Sequence, residues 1–187
     1  MASEVGYCFE LNTLFRIFLN SLGFDAYQCI ASLIHEDRID PPAHNVILCS
    51  LDGERYLLDV GFGGPVPFGA MKLQEGSCEG FCLRKQKDMW YLERTDGAKP
   101  ALCFRDTPAE LRELIPLNFY ISQRPDVHFR HILRCNLRRP DGTVCTLIDH
   151  VLQIRTGDSV QELPVTDTAG ILQKYFGMLP EYITLRR

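Results

Sequence analysis

A chain of 187 residues, 45% hydrophobic and 24% charged, has the make-up of a globular protein and enough length to bury a core. Its formal net charge of -4 leaves no basic footprint for a phosphate backbone, which excludes nucleic acid as a partner. No run approaches the roughly 20 apolar residues of a membrane-spanning helix, and the opening MASEVGY lacks a basic stretch followed by an apolar one. A cytoplasmic protein without a membrane partner is expected.

The first predicted element is a helix over CFELNTLFRIFLNSLGF, where Leu11, Leu14, Phe15, Phe18 and Leu22 recur at intervals of three and four and form one apolar stripe. Gly23 stops it. Cys8 falls at its first turn, and Glu10 adds a carboxylate that suits the positive end of the helix dipole. From Phe24 the pattern changes to short alternating runs, FDAYQCIASLI, HNVILCSL, ERYLLDV, GFCLRK and MWYLERT, divided by Pro, Gly and Asp-Gly. These predict an antiparallel β-barrel. A shorter helix is predicted at PAELRELI, with Thr107 as N-cap and Pro108 in its first turn. A further hairpin, HFRHILRCNLRR and TVCTLIDHVLQIR, follows around Pro140, Asp141 and Gly142. A short strand and a closing helix, TDTAGILQKYF, end the chain.

The cysteines at 8, 29, 49, 78, 82, 103, 135 and 145 do not read as a disulfide scaffold, which belongs to small secreted domains. Cys29, Cys49, Cys103, Cys135 and Cys145 sit in apolar or alternating runs, where a reduced thiol serves as a small hydrophobe. Cys78, Cys82, His128 and His131 have spacing unlike a zinc set, so no metal is expected.

The most informative local geometry is HNVILCSLDGERYLLDVGFGG. Asp52-Gly53 is a dipeptide favoured in two-residue hairpin turns, and with that turn Leu51 pairs with Glu54 and every opposed pair sums to 105. Val46 then faces Asp59 and His44 faces Gly61, so that His44 and Asp59 share a face as diagonal neighbours. A loop one residue longer would send them to opposite faces. Asp59 lies in the apolar run YLLDVGF, where an unpaired carboxylate is costly to bury, and His44 is the available partner. A histidine held by a carboxylate is prepared as a general base. Cys8 is the candidate nucleophile, since a thiol at a helix N-terminus beside an imidazole ionises below the usual cysteine range. The order Cys, His, Asp is shared by papain-like and transglutaminase-like enzymes, and order alone does not choose among them. His35, His128, His131 and His150 read as ordinary polar residues.

Three stretches resemble arylamine N-acetyltransferases: GYCFELNTLFRIFLNSLGF, AHNVILCSLDGERYLLDVGFGG, and NFYISQRPDVHF with the later KYFGM. The resemblance implies an α+β fold with three parts. Residues 1–23 would be the remnant of an N-terminal helical domain carrying the cysteine, 24–117 a β-barrel carrying His and Asp, and 118–187 an inter-domain segment and α/β lid. The core would be cysteine-protease-like, of the papain or transglutaminase kind, with most of the N-terminal helical bundle missing. It implies a thiolate that takes acetyl from acetyl-coenzyme A and passes it to an arylamine, arylhydrazine or N-hydroxyarylamine, with Cys8 as nucleophile, His44 as base and Asp59 orienting it.

The turn Gly61, Phe62, Gly63, Gly64 resembles the family's glycine-rich loop near the coenzyme, where backbone N–H groups approach an anion. Phe9, Phe62 and Phe129 match family positions close to the acceptor pocket, with Ala43 and Phe81 as further candidates. Departures are plain: Glu4, Val5, Gly6 and Tyr7 stand where the family has Arg-Gly-Gly-aromatic. MASEV is consistent with an alternative start, a shortened isoform or a gene-model error. Absence of the upstream bundle would expose the helix stripe and invite self-association. The competing readings are a Cys-His-Asp hydrolase or transglutaminase-like enzyme, distinguished by amide turnover without coenzyme, and an inactive truncated form, distinguished by a Cys8 that never becomes acetylated.

Overall fold

The computed structural model describes residues 6–64, 66–67, 69–99, 101–125 and 131–178. The chain divides into two compact units, Gly6–Arg124 and a second described from Pro125 and 131–178. The first begins with helix α1, Cys8–Ser21. Its N-terminus is closed by Glu10, whose carboxylate accepts the Tyr7 N–H at 2.8 Å. Gly23, at a left-handed φ of 91°, ends it as expected.

Eight antiparallel strands follow: β1 Asp25–Ile34, β2 His44–Leu51, β3 Glu54–Leu58, β4 Met71–Lys72, β5 Gly76–Cys78, β6 Phe81–Gln86, β7 Met89–Arg94 and β8 Ala101–Arg105. They lie in the order β4-β3-β2-β1-β8-β7-β6-β5. The outermost strands, β4 and β5, are consecutive in sequence. A flat sheet of this size would hold its edges about 34 Å apart. The connection through Leu73, Gln74 and Glu75 reaches at most about 14 Å. The sheet must therefore curl until its edges approach, giving a nearly closed barrel. Its interior is filled from all round by Cys29, Val46, Leu48, Leu57, Met71, Leu83, Trp90, Leu92, Leu102 and Phe104, all buried.

Strand β8 was not among the predicted runs. It lies between β1 and β7, and its first four residues are all buried, so no alternation betrays it. Helix α2 also departs from expectation. It spans Leu111–Gln123, with Glu110 rather than Thr107 at its cap and Pro116 in its interior. The Glu113 carboxylate accepts the Glu110 N–H at 2.7 Å, and Ala109 N–H is committed to the Gln28 carbonyl of β1. That tie keeps the predicted first turn extended.

In the second unit β9 Arg134–Arg138, β10 Val144–Ile148, β11 Val151–Thr156 and β12 Ser159–Pro164 form an antiparallel meander, followed by helix α3, Thr168–Phe176. The run TVCTLIDHVLQIR is two strands and not one. Asp149 turns left-handed at φ 49°, and Ile148 pairs with Val151 across the two-residue turn. Cys145, Leu147, Leu152, Leu172 and Phe176 make this unit's own core. Among the described residues no helix is long and apolar enough to cross a membrane.

Candidate active site

The hairpin register is the one the Asp52-Gly53 turn requires. Leu51 pairs with Glu54 and Ile47 with Leu58, and both turn residues have positive φ, 52° and 78°. Strand β2 is buried on both faces: Val46 and Leu48 point into the barrel, while Ile47 and Cys49 pack with Leu19 of α1. His44 opens β2 and Asp59 follows the last residue of β3, so the two meet at one end of the ribbon. His44 Nε2 lies 2.6 Å from Asp59 Oδ2, and the two side chains are 3% and 4% exposed.

Asp59 is held at both oxygens. Oδ1 accepts from Asn12 Nδ2 at 3.0 Å, Gly61 N–H at 2.9 Å and Phe62 N–H at 3.1 Å. Burial opposes a charged His44, but the Asp59 carboxylate outweighs it through charge and hydrogen bonding, and the Cys8 sulfur adds to the effect. The imidazole pKa rises from 6.5 to about 10. Cys8 is the first residue of α1 and is buried; its sulfur lies 3.8 Å from the Ala43 carbonyl oxygen and also interacts with the His44 ring. The three predicted triad residues are thus brought together.

The other predicted residues fall differently. Gly61 presses on the helix that carries Cys8: a Cβ there would stand 2.6 Å from Cys8 Cα and 3.0 Å from Asn12 Nδ2. The N–H groups of Gly61 and Phe62, expected near the coenzyme, both donate to Asp59 Oδ1. The Phe62 ring stands edge-on to His44, centroids 5.3 Å apart. Gly63 adopts a left-handed φ of 65°, and Gly64 lies against the Phe62 ring. Phe9 is packed into the α1–α2 core with Leu114 and Ile121. Phe81, on β6, borders the barrel interior. Phe129 lies outside the described residues, as does His128. All eight cysteines are free thiols, and among the described residues no group of three or more His, Cys, Asp or Glu is placed to hold a metal ion.

A family model described as N-acetyltransferase matches residues 3–181. The chain belongs to the arylamine N-acetyltransferase family. Membership makes it an acyltransferase, and acetyl transfer is the reaction the family supports. An arylamine N-acetyltransferase / N-hydroxyarylamine O-acetyltransferase of Salmonella typhimurium is 28% identical over 190 residues, taking in 95% of this chain and 68% of that protein. A solved arylamine N-acetyltransferase from Salmonella typhimurium superposes with a TM-score of 0.86 at 27% identity, covering 92% of this chain and 68% of that one. A Mycobacterium marinum arylamine N-acetyltransferase solved in complex with CoA shares the fold, with a TM-score of 0.83, 23% identity, and 92% and 69% coverage.

Asn12 is the site residue that sequence reasoning missed. It is fully buried and bonded to the loop that carries Asp59. The available signal was its spacing: one helical turn beyond Cys8, a polar residue on the same helix face.

Proposed function

We propose that Cys8, His44 and Asp59 carry an acetyl group from acetyl-coenzyme A to an arylamine, arylhydrazine or N-hydroxyarylamine through a thioester on Cys8. The observation that carries this reading is the buried His44 Nε2 to Asp59 Oδ2 contact of 2.6 Å beside the thiol at the start of α1. With Nε2 donating to the carboxylate, Nδ1 is the nitrogen that takes the Cys8 proton. The raised proton affinity of His44 favours that transfer.

The thiolate sulfur attacks the thioester carbonyl carbon. As the tetrahedral adduct collapses, the carbon–sulfur bond to the coenzyme breaks and His44 returns the proton to the leaving thiolate. The acceptor nitrogen or oxygen then attacks the acetyl-cysteine, giving up its proton and restoring the Cys8 thiol. Gly63 and Gly64 are the proposed coenzyme-facing residues, and Phe62, edge-on to His44, suits a flat acceptor. The mycobacterial relative solved with CoA supports the donor, and the substrates in the Salmonella relative's name support the acceptor. A cytoplasmic setting fits both.

Intact-mass measurement after exposure to acetyl-coenzyme A tests the reading. One acetyl group mapped to Cys8, absent in Cys8→Ala and discharged by p-aminobenzoate, is expected. An unmodified chain, or a label unaffected by Cys8→Ala, overturns it.

A further inference from the structure

Asn12 makes a set of contacts that neither packing nor the proposed chemistry by itself requires. Its Nδ2 donates to the Asn45 carbonyl at 2.7 Å and to Asp59 Oδ1 at 3.0 Å, with Asn45 Oδ1 at 3.4 Å. Its Oδ1 accepts the Val60 N–H at 2.9 Å. Asn45 follows His44, Val60 follows Asp59, and Asn12 itself stands four residues after Cys8. One side chain therefore touches each of the three backbone segments that bear the triad.

We infer that Asn12 is a positioning residue, which fixes the thiol, the imidazole and the carboxylate in one arrangement by joining helix α1 to both strands of the β2–β3 ribbon. The inference rests on the proposed roles of those three residues. Asp59 needs one oxygen on His44 and the other restrained, or the carboxylate turns about its own bond and the ring turns with it. The Gly61 and Phe62 N–H groups restrain it within its own loop. Asn12 alone among the donors to Oδ1 ties it to the helix of the nucleophile.

The residue type follows from the contacts. They require a donor and an acceptor on one short planar group. Aspartate offers only acceptors when ionised, serine falls short, and glutamine is one methylene too long for a side chain with no exposed surface. The glycine at 61 belongs to the same device, since a Cβ there would crowd both Cys8 and the Asn12 amide.

The test compares wild type with Asn12→Ala and Asn12→Asp, using acetyl-coenzyme A and p-aminobenzoate across mildly acid to mildly alkaline pH, with near-UV circular dichroism to report folding. Asn12→Ala is expected to lower kcat by about tenfold or more, as for loss of a hydrogen bond to a charged group. The KM for the amine should stay within about twofold. For Asn12→Asp the rate relative to wild type should be highest at acid pH and fall as pH rises. The introduced carboxyl donates to Asp59 only while protonated, and once ionised it repels it. Folded variants whose kcat and pH profile parallel wild type overturn the inference. So does failure of both variants to fold, which would make Asn12 a purely structural residue. A wild-type chain that never acetylates sinks the parent reading instead, so the two failures are distinguishable.

Discussion

Among the described residues are two His–Asp pairs of nearly equal length, His35 Nε2 to Asp40 Oδ2 at 2.8 Å and His44 Nε2 to Asp59 Oδ2 at 2.6 Å. Their surroundings differ. The first pair is 30% and 29% exposed, and Asp40 turns its other oxygen to the exposed Arg38 at 2.9 Å. The second is 3% and 4% exposed, and Asp59 turns its other oxygen to three donors fixed by a helix and a tight loop. Some burial opposes ionisation of Asp40, but His35 and Arg38 prevail and hold its carboxyl below the usual range. Water still reaches that pair and screens it. At His44 the contest is fought in near-complete burial, and the imidazole is pushed far up. Nearly equal contact distances therefore hide different settings: burial and a carboxylate restrained at its other oxygen set the His44–Asp59 pair apart.

The largest expected break in this comparison is in rate. Asp59→Asn keeps the shape but no longer favours the Nε2–H form of His44, and should lower kcat/KM by roughly 1,000-fold or more. Asp40→Asn should change it by less than about twofold, as for a partly exposed ion pair screened by solvent. Parallel losses in the two variants would dissolve the distinction.

The next effect is steric. Gly61→Ala places a methyl group 2.6 Å from Cys8 Cα, backbone that cannot swing aside, and should cost about 1–3 kcal/mol in urea unfolding. An unchanged midpoint would show that the helix and loop are not in such close approach.

A third test sharpens the comparison through pH. A folded pKa raised from 6.5 to about 10 means the native chain keeps a proton that the unfolded chain has released. The resulting stability is fully present below about 6.5 and is lost as pH rises through about 10. The stability gap between wild type and Asp59→Asn should therefore shrink over that window when followed by thermal melts. A gap that widens with pH would reverse the assignment.

The ribbon holding His44 and Asp59 was legible because one dipeptide set it. Asp52-Gly53 fixes a two-residue turn, the turn fixes the register, and the register puts His44 and Asp59 on one face. Other features carried no such local signal. In α1 the apolar periodicity marked Leu14, Phe18 and Leu22, which are 48%, 53% and 59% exposed. The face that α1 buries carries Cys8, Phe9, Asn12 and Leu19, where a thiol and an amide interrupt the apolar pattern. Asn12 is meaningful only once the two strands are beside it. Strand β8, apolar on both faces, was hidden for the same reason, since its partner β1 lies far along the chain; the Asp149 turn was hidden because it uses no glycine.

The three-residue join between β4 and β5 has a bearing on how this molecule meets others of its kind. Those two strands, of two and three residues, stand at the two ends of the strand order of the eight-stranded sheet, and the join draws them together. Little unsatisfied backbone is left there to template a foreign strand. Any tendency of this unit to stick should run through its helices, where Ile17 and Phe18 of α1 and Ile115 and Phe119 of α2 face outward, and not through growth of ordered fibrils from the barrel rim.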